Sequence, residues 1–209
     1  MRTYLSFLFL FCGLQITIAQ PLQHVVPEQA HPTPRIYTEH YYKRFIQFMD
    51  EAPISNKDIV MLGNSLTENG GNWAARLGNK HVRNRGIIGD EVMGVYDRLH
   101  QILPGHPAKL FLLIGVNDIS HGLTSDSIVS MIRTTVERIR KESPDTRLYL
   151  QSLLPINESF GRYKRLTGKT SMIPEINKQL ETLAKEKGLT YINLFPCLLY
   201  TSPSPRDRS

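Results

Sequence analysis

Cysteine is scarce in this sequence, with two residues in 209, and they lie far apart at positions 12 and 197. A scaffold held together by several disulfides is therefore excluded. A strong excess of one charge is also missing, because the net charge of +6 is spread along the chain, and this argues against a nucleic-acid partner. Apolar residues make up 41% of the sequence and charged residues 21%, which predicts one globular domain rather than a disordered or collagen-like chain.

The first 19 residues have the layout of a secretory signal peptide. Arg2 is followed by an apolar run over residues 5–11, and the segment closes with the small residue Ala19, after which we expect cleavage. A membrane anchor is the alternative, but the stretch is shorter than the roughly 20 apolar residues that cross a bilayer. The sequence therefore predicts a secreted or periplasmic protein with no membrane span once the signal peptide is removed.

Two further segments are predicted to lie outside the folded domain. Residues 20–40 contain four prolines and no apolar period, as is typical of a linker. Residues 197–209 are rich in serine and proline and resemble the conceptual translation of a sequencing adapter, so we predict that this tail is not native. A genuine Pro/Ser-rich tail is the alternative. The folded domain is then predicted over residues 41–196.

Within residues 41–196, apolar runs alternate with amphipathic segments. The helical spacing of Tyr42, Phe45, Ile46 and Met49 predicts a first helix. Strands are predicted over residues 58–62, 81–85, 110–115, 148–153 and 191–195, and further helices over residues 73–77, 91–103, 125–141 and 174–187. Strict alternation with short links favours parallel strands and right-handed crossovers. The predicted fold is α/β, a three-layer α/β/α sandwich with a five-stranded parallel sheet.

Three of the predicted strands end in small and polar residues, at Gly63-Asn-Ser65, at Asn84-Arg-Gly86 and at Gly115-Val-Asn117. Ligands of such sheets bind beyond the carboxyl ends of the strands. Ser65 is a candidate nucleophile there, and the backbone N–H groups of Ser65 and Gly86, with the Asn117 carboxamide, are candidate donors to an oxyanion. Taken alone, each motif is better explained as a helix cap or a tight turn. No Gly-Lys-[Ser/Thr] follows the first motif, which excludes a Walker P-loop.

Taken together and in this order, the three motifs resemble those of the SGNH (GDSL-type) hydrolase family. The segments over residues 63–68 and 153–157 further resemble the branch related to platelet-activating-factor acetylhydrolase and bacterial carbohydrate acetylesterases. The resemblance implies a flavodoxin-like SGNH hydrolase fold, Ser65 as nucleophile, and an oxyanion hole formed by Gly86, Asn117 and the Ser65 amide. It also implies removal of a short acyl group, foremost acetyl, from a carbohydrate or other small-molecule ester, without a cofactor.

A general base is the part of the site that the sequence does not supply. Members of the family provide it from a D-x-x-H segment after the last strand, and no histidine follows His121 in this sequence. Asp118 and His121 do form a D-x-x-H, but they follow the third strand, which makes His121 a weak candidate. No pair of histidines has zinc-ligand spacing, so no metal is predicted. We therefore expect a chain that lacks its base and is nearly inert, with a non-catalytic ligand-binding module or a pseudoenzyme as the alternatives.

Overall fold

A computed structural model describes residues 37–158 and 163–199 of the chain. The predicted signal peptide, residues 20–36 of the predicted linker and residues 200–209 of the predicted tail lie outside the described residues. The first helix begins at Glu39, with Thr38 as its cap, two residues before residue 41, where the folded domain is predicted to begin. No helix within the two described ranges is both long and apolar enough to cross a bilayer.

Strands and helices alternate along the described chain, as the periodicity predicts. The strands are β1 (Ile59–Gly63), β2 (Val82–Gly86), β3 (Lys109–Leu113), β4 (Arg147–Gln151) and β5 (Thr190–Ile192). The helices are α1 (Glu39–Asp50), α2 (Ser65–Glu68), α3 (Trp73–Leu77), α4 (Val92–Asp97), α5 (Val116–Ser120), α6 (Ser125–Glu142), α7 (Met172–Lys187) and α8 (Phe195–Leu199). Short 3-10 turns lie at Leu99–Gln101, Leu103–Gly105 and Lys164–Leu166.

The five strands form one parallel sheet in the order β2-β1-β3-β4-β5. The predicted fold class is confirmed. Because the chain runs from β1 to β2 on one side and then crosses to β3 on the other, β1 lies at the point where the winding reverses. Gly63 at the end of β1 pairs with Gly86 of β2 and Leu113 of β3. Three strand ends therefore meet at the edge where doubly wound sheets bind ligands.

The three long helices, α1, α6 and α7, each bury one face. The apolar stripe predicted on α6 is confirmed, since its five members are all buried, at Ile128, Val129, Ile132, Val136 and Ile139. The helix predicted around residue 45 is also confirmed, but the face that it buries differs from the predicted apolar set. Tyr41, Phe45 and Phe48 are buried against Ile87, while Tyr42, Ile46 and Met49 are exposed. Because α1 has apolar residues on both faces, the sequence pattern does not identify the face that is buried.

Two predicted boundaries are wrong by three residues or more, while the others lie within two residues. The helix predicted over residues 91–103 stops at Asp97 and continues as two 3-10 turns. Pro104 lies in the first turn of the second of these, where an N–H would have no partner within the turn. The last strand ends at Ile192, and Phe195 begins α8. Pro196 is tolerated in the first turn of that helix, where its missing N–H has no partner to lose. The short helices α2 and α5, at the ends of β1 and β3, are not among the predicted helix ranges.

Candidate active site

Ser65 is the first residue of α2 and follows β1 after a single residue, Asn64. Asn64 starts the helix by accepting the Leu66 N–H on its side-chain oxygen at 3.1 Å, as an N-cap residue does. Its backbone oxygen accepts the N–H groups of Thr67 and Glu68. The Ser65 N–H makes no hydrogen bond to any residue that the structure describes. The tight strand-to-helix turn thus presents a half-buried serine with an open N–H beside it.

Gly86, the predicted oxyanion donor on β2, already donates its N–H to the side-chain oxygen of Asn84 at 2.9 Å. A Cβ at position 86 would lie 2.2 Å from the backbone nitrogen of Glu68. The residue is therefore glycine because α2 packs directly onto the end of β2. In this structure the Gly86 N–H is engaged within its own strand end rather than open toward Ser65, and the role predicted for it does not follow from the geometry.

The turn that follows β2, residues 87–90, provides a different open donor. Within it, the Ile87 N–H binds the Gly63 oxygen at 3.1 Å, and the Asp90 N–H binds the Ile87 oxygen at 3.1 Å. The Ile88 N–H binds a carboxylate oxygen of Glu68 at 2.6 Å. Only the Gly89 N–H of this turn has no partner among the described residues. Gly89 has a φ of +81°, a conformation that glycine adopts at little cost.

Asn117 lies on α5, just beyond β3, and its carboxamide reaches the same turn. The side-chain nitrogen donates to the backbone oxygen of Asp90 at 2.7 Å. A carboxamide nitrogen carries two hydrogens, so one N–H is used to hold the turn and a second is left to donate. The structure therefore brings Asn117 and Gly89 together at the edge of the sheet where Ser65 emerges from β1.

A buried ion pair underlies this edge and was not predicted. Arg98 donates to the Asp90 carboxylate at 2.9 Å, and the side chains of both residues are 0% exposed. Arg98 also donates to the backbone oxygen of Gly63 at 3.0 Å, which ties the end of β1 to the turn after β2. Burial raises the pKa of Asp90 to about 6, and the attraction of Arg98 opposes that rise. The sequence contains one signal for this pair, because Asp90 and Arg98 lie eight residues apart, on either side of α4.

The Asp118 and His121 side chains do not pair with each other. The Asp118 carboxylate is fully buried and accepts the Val92 N–H. His121 instead directs its Nδ1 to the carboxylate of Glu91, and its side chain is 41% exposed. The weak candidate base thus has a carboxylate partner, but one from the segment after β2. Among the described residues, no three His, Cys, Asp or Glu side chains group closely enough to hold a metal ion.

The fold and the site define a three-layer α/β protein with a serine at its first strand end and open N–H donors beside it. The GDSL-like Lipase/Acylhydrolase family model matches residues 61–208. The chain belongs to this family of ester hydrolases, and the resemblance seen in the sequence is confirmed.

Individual relatives agree with this assignment. Platelet-activating factor acetylhydrolase IB subunit alpha1 of Bos taurus is 24% identical over 112 residues, which cover 52% of this chain and 48% of that protein. The chain therefore spans about half the length of this curated relative. A GDSL-like lipase from Bacteroides thetaiotaomicron superposes with a TM-score of 0.64 at 20% identity, covering 75% of this chain and 78% of that one. An acetyl xylan esterase superposes with a TM-score of 0.54 at 19% identity, covering 68% and 79%.

Proposed function

We propose that this chain carries the nucleophile and the oxyanion-binding groups of a serine ester hydrolase. The Ser65 Oγ attacks the ester carbonyl carbon and gives up its proton to a base. The tetrahedral oxyanion accepts hydrogen bonds from the Ser65 N–H, the Gly89 N–H and the Asn117 carboxamide. Collapse expels the alcohol, and water then releases the acid from the acyl-serine.

The arrangement of open donors is the observation that carries the proposal. Within residues 65–68 and 86–92, the Ser65 and Gly89 N–H groups alone lack partners among the described residues. The bond from Asn117 to the Asp90 oxygen places a third donor next to Gly89. Donors aimed at a developing oxyanion contribute about 10²- to 10³-fold each in rate. A merely structural turn has no need to keep three donors open.

For the substrate, we propose a short acyl ester, foremost an acetyl ester, of a carbohydrate or similar alcohol. The acetyl xylan esterase and the platelet-activating factor acetylhydrolase subunit, by their names, both act on acetyl esters, which supports a small acyl group. The signal-like segment over residues 1–19 supports action outside the cytoplasm.

The base is the group that we propose to be missing from this polypeptide. No histidine follows His121 in the sequence, and His121 itself is held by Glu91. Loss of the base from a serine triad lowers the rate by orders of magnitude, while the oxyanion hole retains residual catalysis. The 209-residue chain is therefore expected to hydrolyse esters slowly, and free imidazole is expected to raise the Ser65-dependent rate by accepting the proton.

The test is covalent labelling with a fluorophosphonate probe, located by mass spectrometry. We expect slow phosphonylation of Ser65, none in Ser65→Ala, and unchanged labelling in Ser130→Ala, whose serine is exposed on α6. The missing base is tested by p-nitrophenyl acetate hydrolysis at increasing imidazole concentrations. The Ser65→Ala rate at each concentration is subtracted to give the Ser65-dependent rate. Labelling of the wild type that persists in Ser65→Ala refutes the nucleophile. No labelling at all favours the ligand-binding module, and a Ser65-dependent rate that ignores imidazole refutes the missing base.

A further inference from the structure

Glu68 has contacts that the proposed reaction does not explain. It is the last residue of α2, one turn after Ser65, and its side chain is only 14% exposed. One carboxylate oxygen accepts the Ile88 N–H at 2.6 Å. His40 Nε2 lies 3.0 Å from both oxygens, and Arg44 Nε lies 3.4 Å from one of them. A single carboxylate therefore joins the helix of Ser65, the turn after β2 and the first helix.

The Ile88 contact matters because of what comes next in the chain. Ile88 immediately precedes Gly89, and residues 87–90 form one hydrogen-bonded turn. One side of that turn is anchored to α2 through Glu68, and the other side is anchored to α5 through the bond from Asn117 to Asp90. If the Glu68 carboxylate is removed, the turn loses its direct hydrogen bond to α2. The described contacts then connect the turn to α2 only indirectly, through the end of β2. The spacing between the Ser65 hydroxyl and the Gly89 N–H would then be less well defined.

The backbone of Glu68 makes the same connection a second time. Its oxygen accepts the side-chain N–H of Asn84 at 3.1 Å, and its nitrogen lies 2.2 Å from where a Cβ of residue 86 would be. Glu68 is thus in contact with the end of β2 through main chain and side chain together. His40 and Arg44, from α1, lie before the matched family segment that starts at residue 61, so part of the support for this edge comes from outside that segment.

We propose that Glu68 is a positioning residue: it holds the Gly89 turn against the Ser65 helix and so sets the distance between nucleophile and oxyanion donor. This rests on the proposed function. The carboxylate does not touch the reacting atoms in this scheme. Its effect on rate comes through geometry, because a misplacement of about 1 Å in a catalytic group costs roughly 100-fold.

Two measurements on the full chain test the proposal. The first is hydrogen exchange of the Ile88 and Asp90 amides by ¹⁵N NMR, which reports anchoring of the turn without needing activity. The second is the rate of Ser65 phosphonylation by a fluorophosphonate, per folded molecule. In that reaction the Oγ–phosphorus bond forms, fluoride leaves, the serine proton passes to solvent, and the phosphoryl oxygen occupies the position of the oxyanion.

Three substitutions at one position separate the acceptor from the charge. Glu68→Ala removes the acceptor, and we expect fast amide exchange and labelling slowed by roughly 10- to 100-fold. Glu68→Gln keeps an oxygen that accepts the Ile88 N–H, and we expect it to label close to the wild-type rate. Glu68→Asp keeps the charge but is one methylene short of Ile88, and we expect slowed labelling in a folded protein. If Glu68→Ala does not fold, the Glu68→Asp and Glu68→Gln pair carries the comparison.

Glu51→Ala is the matched control, because Glu51 also binds an arginine, Arg85, at 2.6 Å but has no contact with the turn. We expect its labelling rate per folded molecule to match the wild type. Unchanged exchange in folded Glu68→Ala or Glu68→Asp overturns the proposal, as does equal slowing in Glu68→Gln and Glu68→Ala, or equal slowing in Glu51→Ala. If the exchange changes as expected but Ser65 of the wild type never labels, the esterase proposal has failed, and the positioning role fails with it.

Discussion

Replacing Arg98 by methionine is expected to destabilise the domain strongly and in a pH-dependent way. Arg98 and Asp90 form a fully buried pair at 2.9 Å, and Arg98 also satisfies the Gly63 oxygen. Methionine fills similar space but leaves the buried Asp90 carboxylate without its charged partner and the Gly63 oxygen with the Ile87 N–H as its remaining donor among the described residues. Removing one partner of such a pair costs about 3–5 kcal/mol. For a domain of this size, that corresponds to a fall in Tm of roughly 6–20 °C.

The pH dependence follows from the Asp90 carboxyl. Burial raises its pKa to about 6 in the wild type, and loss of Arg98 removes the attraction that opposes this rise. A carboxyl with a raised folded-state pKa favours the folded state when protonated, and that contribution is lost as the pH rises through the folded-state pKa. The difference in unfolding free energy between wild type and Arg98→Met is therefore expected to be larger at pH 7.5 than at pH 5.

Thermal and urea unfolding followed by circular dichroism at the two pH values measure this difference. Arg133→Met is the control, since Arg133 pairs with Glu186 at the surface with both side chains partly exposed, and such pairs contribute less than about 1 kcal/mol. An Arg98→Met variant that loses no more stability than Arg133→Met would refute the reasoning. So would a loss of equal size at both pH values, because the Asp90 carboxyl would then not be the group left unpaired.

Three other substitutions test the packing directly by thermal unfolding. Gly86→Ala places a Cβ 2.2 Å from the Glu68 nitrogen, so we expect a loss of about 1–3 kcal/mol from overpacking; a wild-type Tm would show that α2 moves away freely. Thr124→Ala removes the cap of α6, which accepts the Ser127 N–H at 3.3 Å, and should cost about 1 kcal/mol, whereas no change would mean the cap is dispensable. Ile132→Ala opens a cavity in a fully buried site and should cost about 2–5 kcal/mol, with a loss below 1 contradicting the packing.

Much of the architecture could be predicted from local pattern alone. The runs over residues 110–113 and 148–150 are apolar on both faces of the sheet, and the stripe on α6 repeats at helical spacing, so strand and helix periods are visible without tertiary contacts. Short links between them leave parallel strands with right-handed crossovers as the favoured topology. The positions of Ser65 and Asn117 at strand ends follow from this alternation.

Local pattern could not predict which face of α1 is buried or where the short helices at the strand ends lie. In α1, Phe45 has apolar neighbours on both sides of the helix, so the hydrophobic period does not single out one face. The helices α2 and α5 contain four and five residues, and a helix that short has no amphipathic period to detect. Their existence depends on caps and on packing against β2 and the turn after it.

By itself, the sequence determined the order of strands and helices, the serine at the first strand end and the family motifs, because each of these is encoded in residues close together in the chain. The tertiary structure decided which of two backbone N–H groups, that of Gly86 or that of Gly89, is available to bind a ligand. Gly86 and Gly89 are only three residues apart, and it is the bond from the Gly86 N–H to the Asn84 side chain that distinguishes an engaged N–H from an available one. Asn84 is itself held by the Glu68 oxygen, 16 residues away, and the Ile88 N–H by the Glu68 carboxylate, 20 residues away. Hydrogen bonds across such distances are set by packing rather than by local sequence.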